Sequence, residues 1–374
     1  MNIAIVTWDY PDDRRSVFPF VKNLVDEWAK QGHNCTVIAP FSVTNNKRRY
    51  CYESNYIINK KNVNILRPNY ISLSNFSIGT VRFTEFFHKR AVVRGLKSLK
   101  GNPDVIYCHF WRSACEALSY AKKYDIPLIV ATGESTIEGI CEENKPELFK
   151  YLSGVVAVSS KNMKESVALG LCKEEKCIVV PNAIDSRLFN RQEKRLCRLK
   201  LSLPQDAYIV AFVGWFNERK GARRVSEAIN QINGTPVYSI FVGSGDDEPS
   251  CPNILFMDRL QHHEIPLYLN AADAFVLPTQ HEGCSNAIVE AMACGLPIIS
   301  SDLPFNWDIC DETNSILVNP NNIEAIKNAI IKLRDNRDLR DKLSLGSLAK
   351  AESLTIDKRA SRIIEFIKEK TNKK

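Results

Sequence analysis

Short, β-branched apolar runs alternate with longer amphipathic ones along most of this 374-residue chain. In the first half the pattern predicts strands at 2–7, 35–39, 63–67, 104–109, 127–131, 154–158 and 176–180. Helical spacing predicts helices between several of them, such as 18–31 and 113–124. The pattern then restarts, with strands at 207–213, 237–242, 253–256, 274–277, 297–300 and 315–318. A strand that is apolar at nearly every position has no face to give to water, so it belongs in a parallel sheet covered by helices on both sides. Residues 181–204 are polar, highly charged and hold no apolar strand, which marks a domain boundary. The expected fold class is α/β, with two Rossmann-like doubly wound domains facing a central cleft lined by the carboxyl ends of their strands. In the tail, Ile356, Ala360, Ile363, Ile364 and Ile367 recur at helical spacing and predict a helix with one apolar face. Periodicity alone leaves open which domain receives it.

The segment 274–300, AFVLPTQHEGCSNAIVEAMACGLPIIS, reads as strand, loop, helix and strand. Ser285 is placed to cap a helix over 286–294, Gly295 to end it, and Pro297 to prevent its continuation. Glu282 then lies in a loop at the carboxyl end of a strand, and Glu290 on the helix that follows. Loop amides and a helix amino end in that position suit an anionic group. Two glutamates eight apart arise easily by chance, but the whole string does not. It resembles the signature of the family 4 retaining glycosyltransferases, two glutamates separated by seven residues within EG-x6-EAMA-x-G-x-P. The resemblance extends along most of the chain. Val180-Pro181-Asn182-Ala183-Ile184-Asp185 is similar to the family's linker strand, Gly214–Gly221 (GWFNERKG) to its phosphate-binding loop, and Gln31-Gly32-His33 to the RGH before its second strand.

The resemblance implies a GT-B fold. Residues 1–183 would bind the acceptor and 184–354 the nucleotide-sugar donor, and the helix of 355–374 would pack back on the N-terminal domain. It implies that Glu282 contacts the donor sugar at the reaction centre and Glu290 holds the ribose hydroxyls. Arg219 and Lys220 would bind the diphosphate, whose charge grows as it departs. Further donor contacts are expected from Gly214, Gly243, Ser244, Arg259, Leu260, His281, Gly283, Cys284, Ser285 and Asn286, with base reading near 257–260. His109 matches a family histidine on the acceptor side. No two aspartates stand two residues apart, so the Asp-x-Asp pair of metal-dependent transferases is missing and a metal-free mechanism without other cofactors is expected.

Three departures qualify the transfer of roles. The first glycine-rich loop is replaced by Trp8-Asp9-Tyr10-Pro11-Asp12-Asp13-Arg14-Arg15-Ser16, so Arg14 or Arg15 is expected to reach the acceptor side by side chain. Trp215 stands where the family has arginine, which leaves Arg219 as the better cation. The family's T-x-HG histidine is missing from Ala131-Thr132-Gly133-Glu134-Ser135, and Glu134 is expected to face the donor–acceptor junction as its substitute.

Composition narrows the setting. No run approaches the 18 apolar residues of a spanning helix, and no export signal is expected. Twelve cysteines without one C-x-x-C read as reduced cytosolic thiols and not as a disulfide framework. After Gly243-Ser244-Gly245 comes Asp246, so the third glycine of a dinucleotide fingerprint is absent, which argues against a nicotinamide enzyme. Net charge is +7, but residues 45–100 hold twelve basic against two acidic residues, a local +10. Within it, 76–100 interleaves phenylalanines with arginines and lysines as a basic amphipathic helix suited to an anionic membrane surface. Nucleic acid would also be drawn to such a patch, but a donor motif beside it favours a membrane carrying a lipid-linked acceptor. The expected function is a retaining, metal-independent hexosyltransferase, peripheral on the inner face of the cell membrane. It would move a hexose or N-acetylhexosamine from a nucleotide-diphosphate sugar, UDP favoured, to a lipid-linked glycan in surface-polysaccharide assembly. A non-catalytic nucleotide-sugar or glycan-binding protein on the same scaffold is the alternative, and a nucleotide-sugar epimerase a more distant one.

Overall fold

The computed structural model describes the chain except residues 13–16, 45–51, 74–76, 79–80, 138–139, 141–143 and 372–374. It divides into two compact units, Met1–Val180 with Arg359–Lys374, and Pro181–Lys358. The chain therefore leaves the first unit at the start of the polar stretch noted above and returns to it near its end.

The first unit holds an eight-stranded sheet: β1 (Asn2–Val6), β2 (Asn34–Ile38), β3 (Glu53–Ile58), β4 (Lys61–Leu66), β5 (Val105–His109), β6 (Leu128–Thr132), β7 (Gly154–Ala157) and β8 (Cys177–Val179). Their spatial order is β8-β7-β6-β5-β1-β2-β4-β3. All neighbours are parallel except the β3–β4 hairpin, which turns at Asn59 and Lys60, both with positive φ. β3 was not expected from the pattern. As an edge strand it keeps Glu53, Ser54, Asn55 and Ile57 exposed, so it carries no apolar run. Helices α1 (Pro19–Lys30), α2 (Phe83–Lys97), α3 (Trp111–Lys123), α4 (Lys145–Tyr151) and α5 (Ser160–Ala168) connect the strands. The C-terminal helix Ile356–Thr371 joins this unit from Arg359 onward: Trp28 Nε1 donates to the Ala360 carbonyl at 3.1 Å and Arg359 Nη1 to the Val180 carbonyl at 2.7 Å. Phe366 fills the space above Gly154, where a Cβ would meet its ring at 2.7 Å.

The basic amphipathic segment begins its helix at Phe83, later than the sequence suggests. His88, Ala91, Val92, Gly95 and Leu96 of α2 turn inward, leaving Phe86, Arg90, Arg94 and Lys97 as an exposed stripe with Arg90 over the Phe86 ring. Among the described residues no helix is long and apolar enough to cross a membrane.

The second unit is a six-stranded, wholly parallel sheet: β9 (Tyr208–Val213), β10 (Val237–Val242), β11 (Ile254–Asp258), β12 (Ala274–Leu277), β13 (Ile298–Ser301) and β14 (Ser315–Val318), in the order β11-β10-β9-β12-β13-β14. Helices α6 (Lys194–Lys200), α7 (Ala222–Asn230), α8 (Ile265–Ala271), α9 (Asn286–Ala293), α10 (Ile323–Asp335) and α11 (Arg337–Ser353) cover it. The order reverses between β9 and β12, which is the switch point where such sheets place ligands. The two chain crossings lie side by side within this unit, with Ile184 bonded in both directions to Leu354 and Ile356.

Candidate active site

The loops leaving β9 and β12 meet at the switch point. After β9 the chain enters Gly214–Gly221, which closes on itself: Asn217 accepts from the amides of Lys220 and Gly221, and Gly221 takes φ +81 to start α7. Arg224, one turn into α7, stitches the two loops, donating to the carbonyls of Glu218 at 2.6 Å and Pro278 at 2.8 Å. Gln280 adds a backbone bond to the Arg219 carbonyl. The result is a fixed frame on which three charges converge. Arg219 Nη1 donates to the His281 carbonyl at 2.7 Å and to Glu282 Oε1 at 3.0 Å. Lys220 Nζ binds the same carboxylate oxygen, and Thr279 Oγ1 reaches it at 3.3 Å. Glu282 and Lys220 are each 13% exposed, whereas Arg219 is 38% exposed.

Around this trio stand most of the donor-side residues expected from the sequence. Gly214 and Gly243 pack backbone to backbone, so a Cβ on Gly243 would lie 1.9 Å from the Gly214 carbonyl oxygen. Ser244 accepts from Arg259 through its hydroxyl and from the Phe216 amide through its carbonyl. Leu260 follows Arg259 in the same loop, after β11. Gly283, Cys284 and Ser285 are buried or nearly so, and Asn286 opens α9. Ser285 does take the capping position, but its hydroxyl caps nothing: it is buried without a hydrogen-bond partner. Asn182, in the stretch that leads into the second unit, fixes the loop by donating to the Cys284 carbonyl at 2.9 Å.

Glu290 has a partner the sequence did not announce. His262 Nε2 lies 2.9 Å from Glu290 Oε1, and its ring packs against Phe189. The hydrogen bond to this carboxylate raises the His262 pKa above its ordinary value, against the opposing effect of burial. Twenty-eight residues and two loops separate the pair, so no local pattern could have revealed it. Trp215 is a second such case. Its indole is 59% exposed and carries the Arg259 guanidinium over its face at 5.1 Å. A cation thus stands at this corner although the chain has tryptophan at 215.

The acceptor-side expectations fare differently. Arg14 and Arg15 lie outside the described residues. Glu134 is a structural cap: its carboxylate accepts from the Trp111 amide at 2.9 Å, the Thr132 hydroxyl at 2.7 Å and the Gly133 amide at 2.9 Å. One oxygen holds the start of α3 through the Trp111 amide, as an acidic group at a helix amino end does, and the other ties down its own loop at Thr132 and Gly133. His109 closes β5 as expected but is 4% exposed, ringed by Phe20, Tyr107 and Phe110. Burial, reinforced by Arg359, pushes its pKa down to about 3, so it stands neutral. Beside it Phe110 takes φ +70 and ψ 153, and Phe18 takes φ +49. Backbone strain of this kind costs about 1–3 kcal/mol per residue and persists only where surrounding packing enforces it.

Comparison with known proteins places this geometry. Residues 19–188 match the family described as Glycosyltransferase Family 4, and 207–336 match Glycosyl transferases group 1. The protein of Bacillus subtilis named as a teichuronic acid biosynthesis glycosyltransferase, TuaC, is 27% identical over 355 residues, covering 89% of each chain. The N,N'-diacetylbacillosaminyl-diphospho-undecaprenol alpha-1,3-N-acetylgalactosaminyltransferase of Campylobacter jejuni is 26% identical over 212 residues, 53% of this chain and 52% of that one. Among solved structures, the sucrose-phosphate synthase of Thermosynechococcus elongatus superposes with a TM-score of 0.80 at 17% identity, covering both chains fully. HepE of Anabaena, solved with UDP and glucose, gives 0.71 at 14% identity, over 99% of this chain and all of that one. With two family matches in succession along one chain and two doubly wound sheets beneath them, this protein belongs to the group 1, family 4 glycosyltransferases of GT-B fold.

Proposed function

We propose that this glycosyltransferase moves a hexose or N-acetylhexosamine from a UDP-sugar to a lipid-linked glycan during surface-polysaccharide assembly, with retention of configuration and without a metal ion. The observation that carries the reading is the convergence of Arg219 and Lys220 on Glu282 at the switch point of the second unit. As the glycosidic bond to phosphate breaks, negative charge accumulates on the departing diphosphate. Two fixed cations on a rigid loop stabilise that charge without reorganising, which is where such sites gain most of their rate. On this reading the diphosphate takes the cations over from Glu282, and the released carboxylate turns to the sugar. Glu290, oriented by His262, holds the ribose. The leaving phosphate oxygen accepts the proton of the incoming hydroxyl, so no side chain acts as nucleophile. Glu134 has no part in this chemistry, and neutral His109 orients without protonating.

UDP and the lipid-linked acceptor are favoured by what the relatives are named for: HepE was solved with UDP and glucose, and the Campylobacter relative is named as acting on a diphospho-undecaprenol-linked sugar. The exposed stripe of Phe86, Arg90 and Lys97 on α2 is the surface we assign to the anionic cytoplasmic membrane face. The test is a turnover assay with candidate UDP-sugars, with and without chelator, and NMR assignment of the product anomer. Turnover surviving Glu282→Ala, an inverted product, or loss of turnover with chelator would each overturn the corresponding part. Vesicle sedimentation unchanged by reversing Arg90 and Lys97 would remove the membrane surface.

A further inference from the structure

We propose that Cys172 and Cys177 form a reversible disulfide, a thiol-modification site independent of the transferase chemistry. Their sulfurs stand 3.5 Å apart across a turn of five residues. A disulfide needs about 2.0 Å, a closure within reach of small side-chain rotations when the backbone already brings the two sulfurs face to face. The backbone here is well fixed. Cys172 is 1% exposed, follows buried Leu171, and belongs to the core of the first unit. Cys177 opens β8, where it pairs with Val155 of β7. Between them the single 3-10 turn Glu174–Lys176 is tied to its surroundings by two lysine side chains. Lys370 Nζ on the C-terminal helix donates to the Glu175 carbonyl at 3.1 Å, and Lys176 Nζ reaches back to the Leu152 carbonyl. The approach of the two sulfurs is thus imposed by the fold.

The two thiols are not equivalent. Cys177 is partly exposed, and its Sγ also contacts the Lys173 carbonyl at 3.4 Å. The hydrogen bond from Cys172 lowers the Cys177 pKa and raises that of Cys172. Cys177 is accordingly the attacking sulfur and Cys172 the resolving one. With a small-molecule disulfide as oxidant, the Cys177 thiolate attacks one of its sulfurs, breaking that S–S bond and expelling one thiolate, which takes up the proton Cys177 has lost. Deprotonated Cys172 then attacks the Cys177 sulfur, the mixed disulfide breaks, and a second thiol leaves with its proton. The protein gives up two electrons and two protons, and the oxidant becomes two thiols. The product staples the edge strand β8 to the turn after α5, at the last strand before the chain leaves the first unit.

The experiment treats the full-length chain with oxidised glutathione, alkylates the remaining thiols and maps peptides with and without dithiothreitol. The expected result is an intact protein lighter by two hydrogens, with positions 172 and 177 joined, both recovered as thiols after reduction. Partly exposed Cys115 and Cys251 should be alkylated throughout. In Cys172→Ser the reaction should stop at a glutathione adduct on Cys177. Hydrogen exchange of the β8 amides should slow on oxidation of the wild-type chain. Free, alkylatable Cys172 and Cys177 after oxidation would overturn the proposal. So would a stable glutathione adduct on wild-type Cys177, or β8 exchange that oxidation leaves unchanged.

Discussion

Glu282→Gln should raise affinity for UDP while it abolishes transfer. In the structure the carboxylate engages both cations, with Arg219 Nη1 at 3.0 Å and Lys220 Nζ in direct contact. A diphosphate arriving at those cations must displace the carboxylate and then lie beside it. At roughly 6 Å and an effective dielectric constant of about 20, each unit of like charge is opposed by about 3 kcal/mol. Arg219 is 38% exposed, and solvent screening cuts the useful figure to about 1–1.5 kcal/mol. Glutamine keeps the shape and the Thr279 contact but removes the charge, so UDP should bind about 5–10-fold more tightly. Calorimetric titration with UDP measures this directly, and the gain should shrink as ionic strength rises. Unchanged or weaker UDP binding, in a variant whose melting temperature matches the parent, would refute the account of Glu282 as the resident counter-ion of the diphosphate cations.

Gly243→Ala would set a Cβ 1.9 Å from the Gly214 carbonyl oxygen, forcing apart the loops after β9 and β10. It should destabilise by about 2–4 kcal/mol and lose UDP binding, read by denaturant titration and calorimetry. His262 has its pKa raised in the folded chain by its bond to Glu290. Its contribution to stability is therefore fully present below the ordinary value of 6.5 and is lost as pH rises through the higher folded value. His262→Gln should flatten the stability profile above that point, measured by denaturant unfolding across about pH 6–9. Glu134→Ala removes one hydrogen bond at the start of α3 and two within residues 132–134, and should cost about 1–3 kcal/mol, with donor affinity in the second unit unchanged.

Much of this was legible in one sequence because the information is local. Parallel strands such as Tyr208–Val213 and Ala274–Leu277 are apolar at almost every position, and the motif from Glu282 to Glu290 spans a single loop and helix. β3 escaped because this edge strand exposes most of its residues and looks like loop. For Glu134, a carboxylate beside a strand end looks like chemistry in sequence, and only the folded chain shows that the Trp111 and Gly133 amides and the Thr132 hydroxyl bond it. His262 and the Cys172–Cys177 contact depend on distances that chain spacing does not encode. Arg259 over Trp215 shows how a cation missing from one position is restored from another loop, the one after β11.

The return of the chain at Arg359 has a consequence for biosynthesis. The first unit is encoded in two stretches, one on each side of the whole second unit, Pro181–Lys358. During synthesis the sheet β1–β8 emerges before Ala360, Ile363, Phe366 and Ile367, so Trp28 and Gly154 keep open apolar faces until the helix Ile356–Thr371 leaves the ribosome. The second unit has no such debt and can complete its fold while the older half still waits. The helix Ile356–Thr371 thus acts as a checkpoint: a nascent chain broken off anywhere before residue 359 carries an unclosed core, the kind of surface that chaperones and proteases recognise.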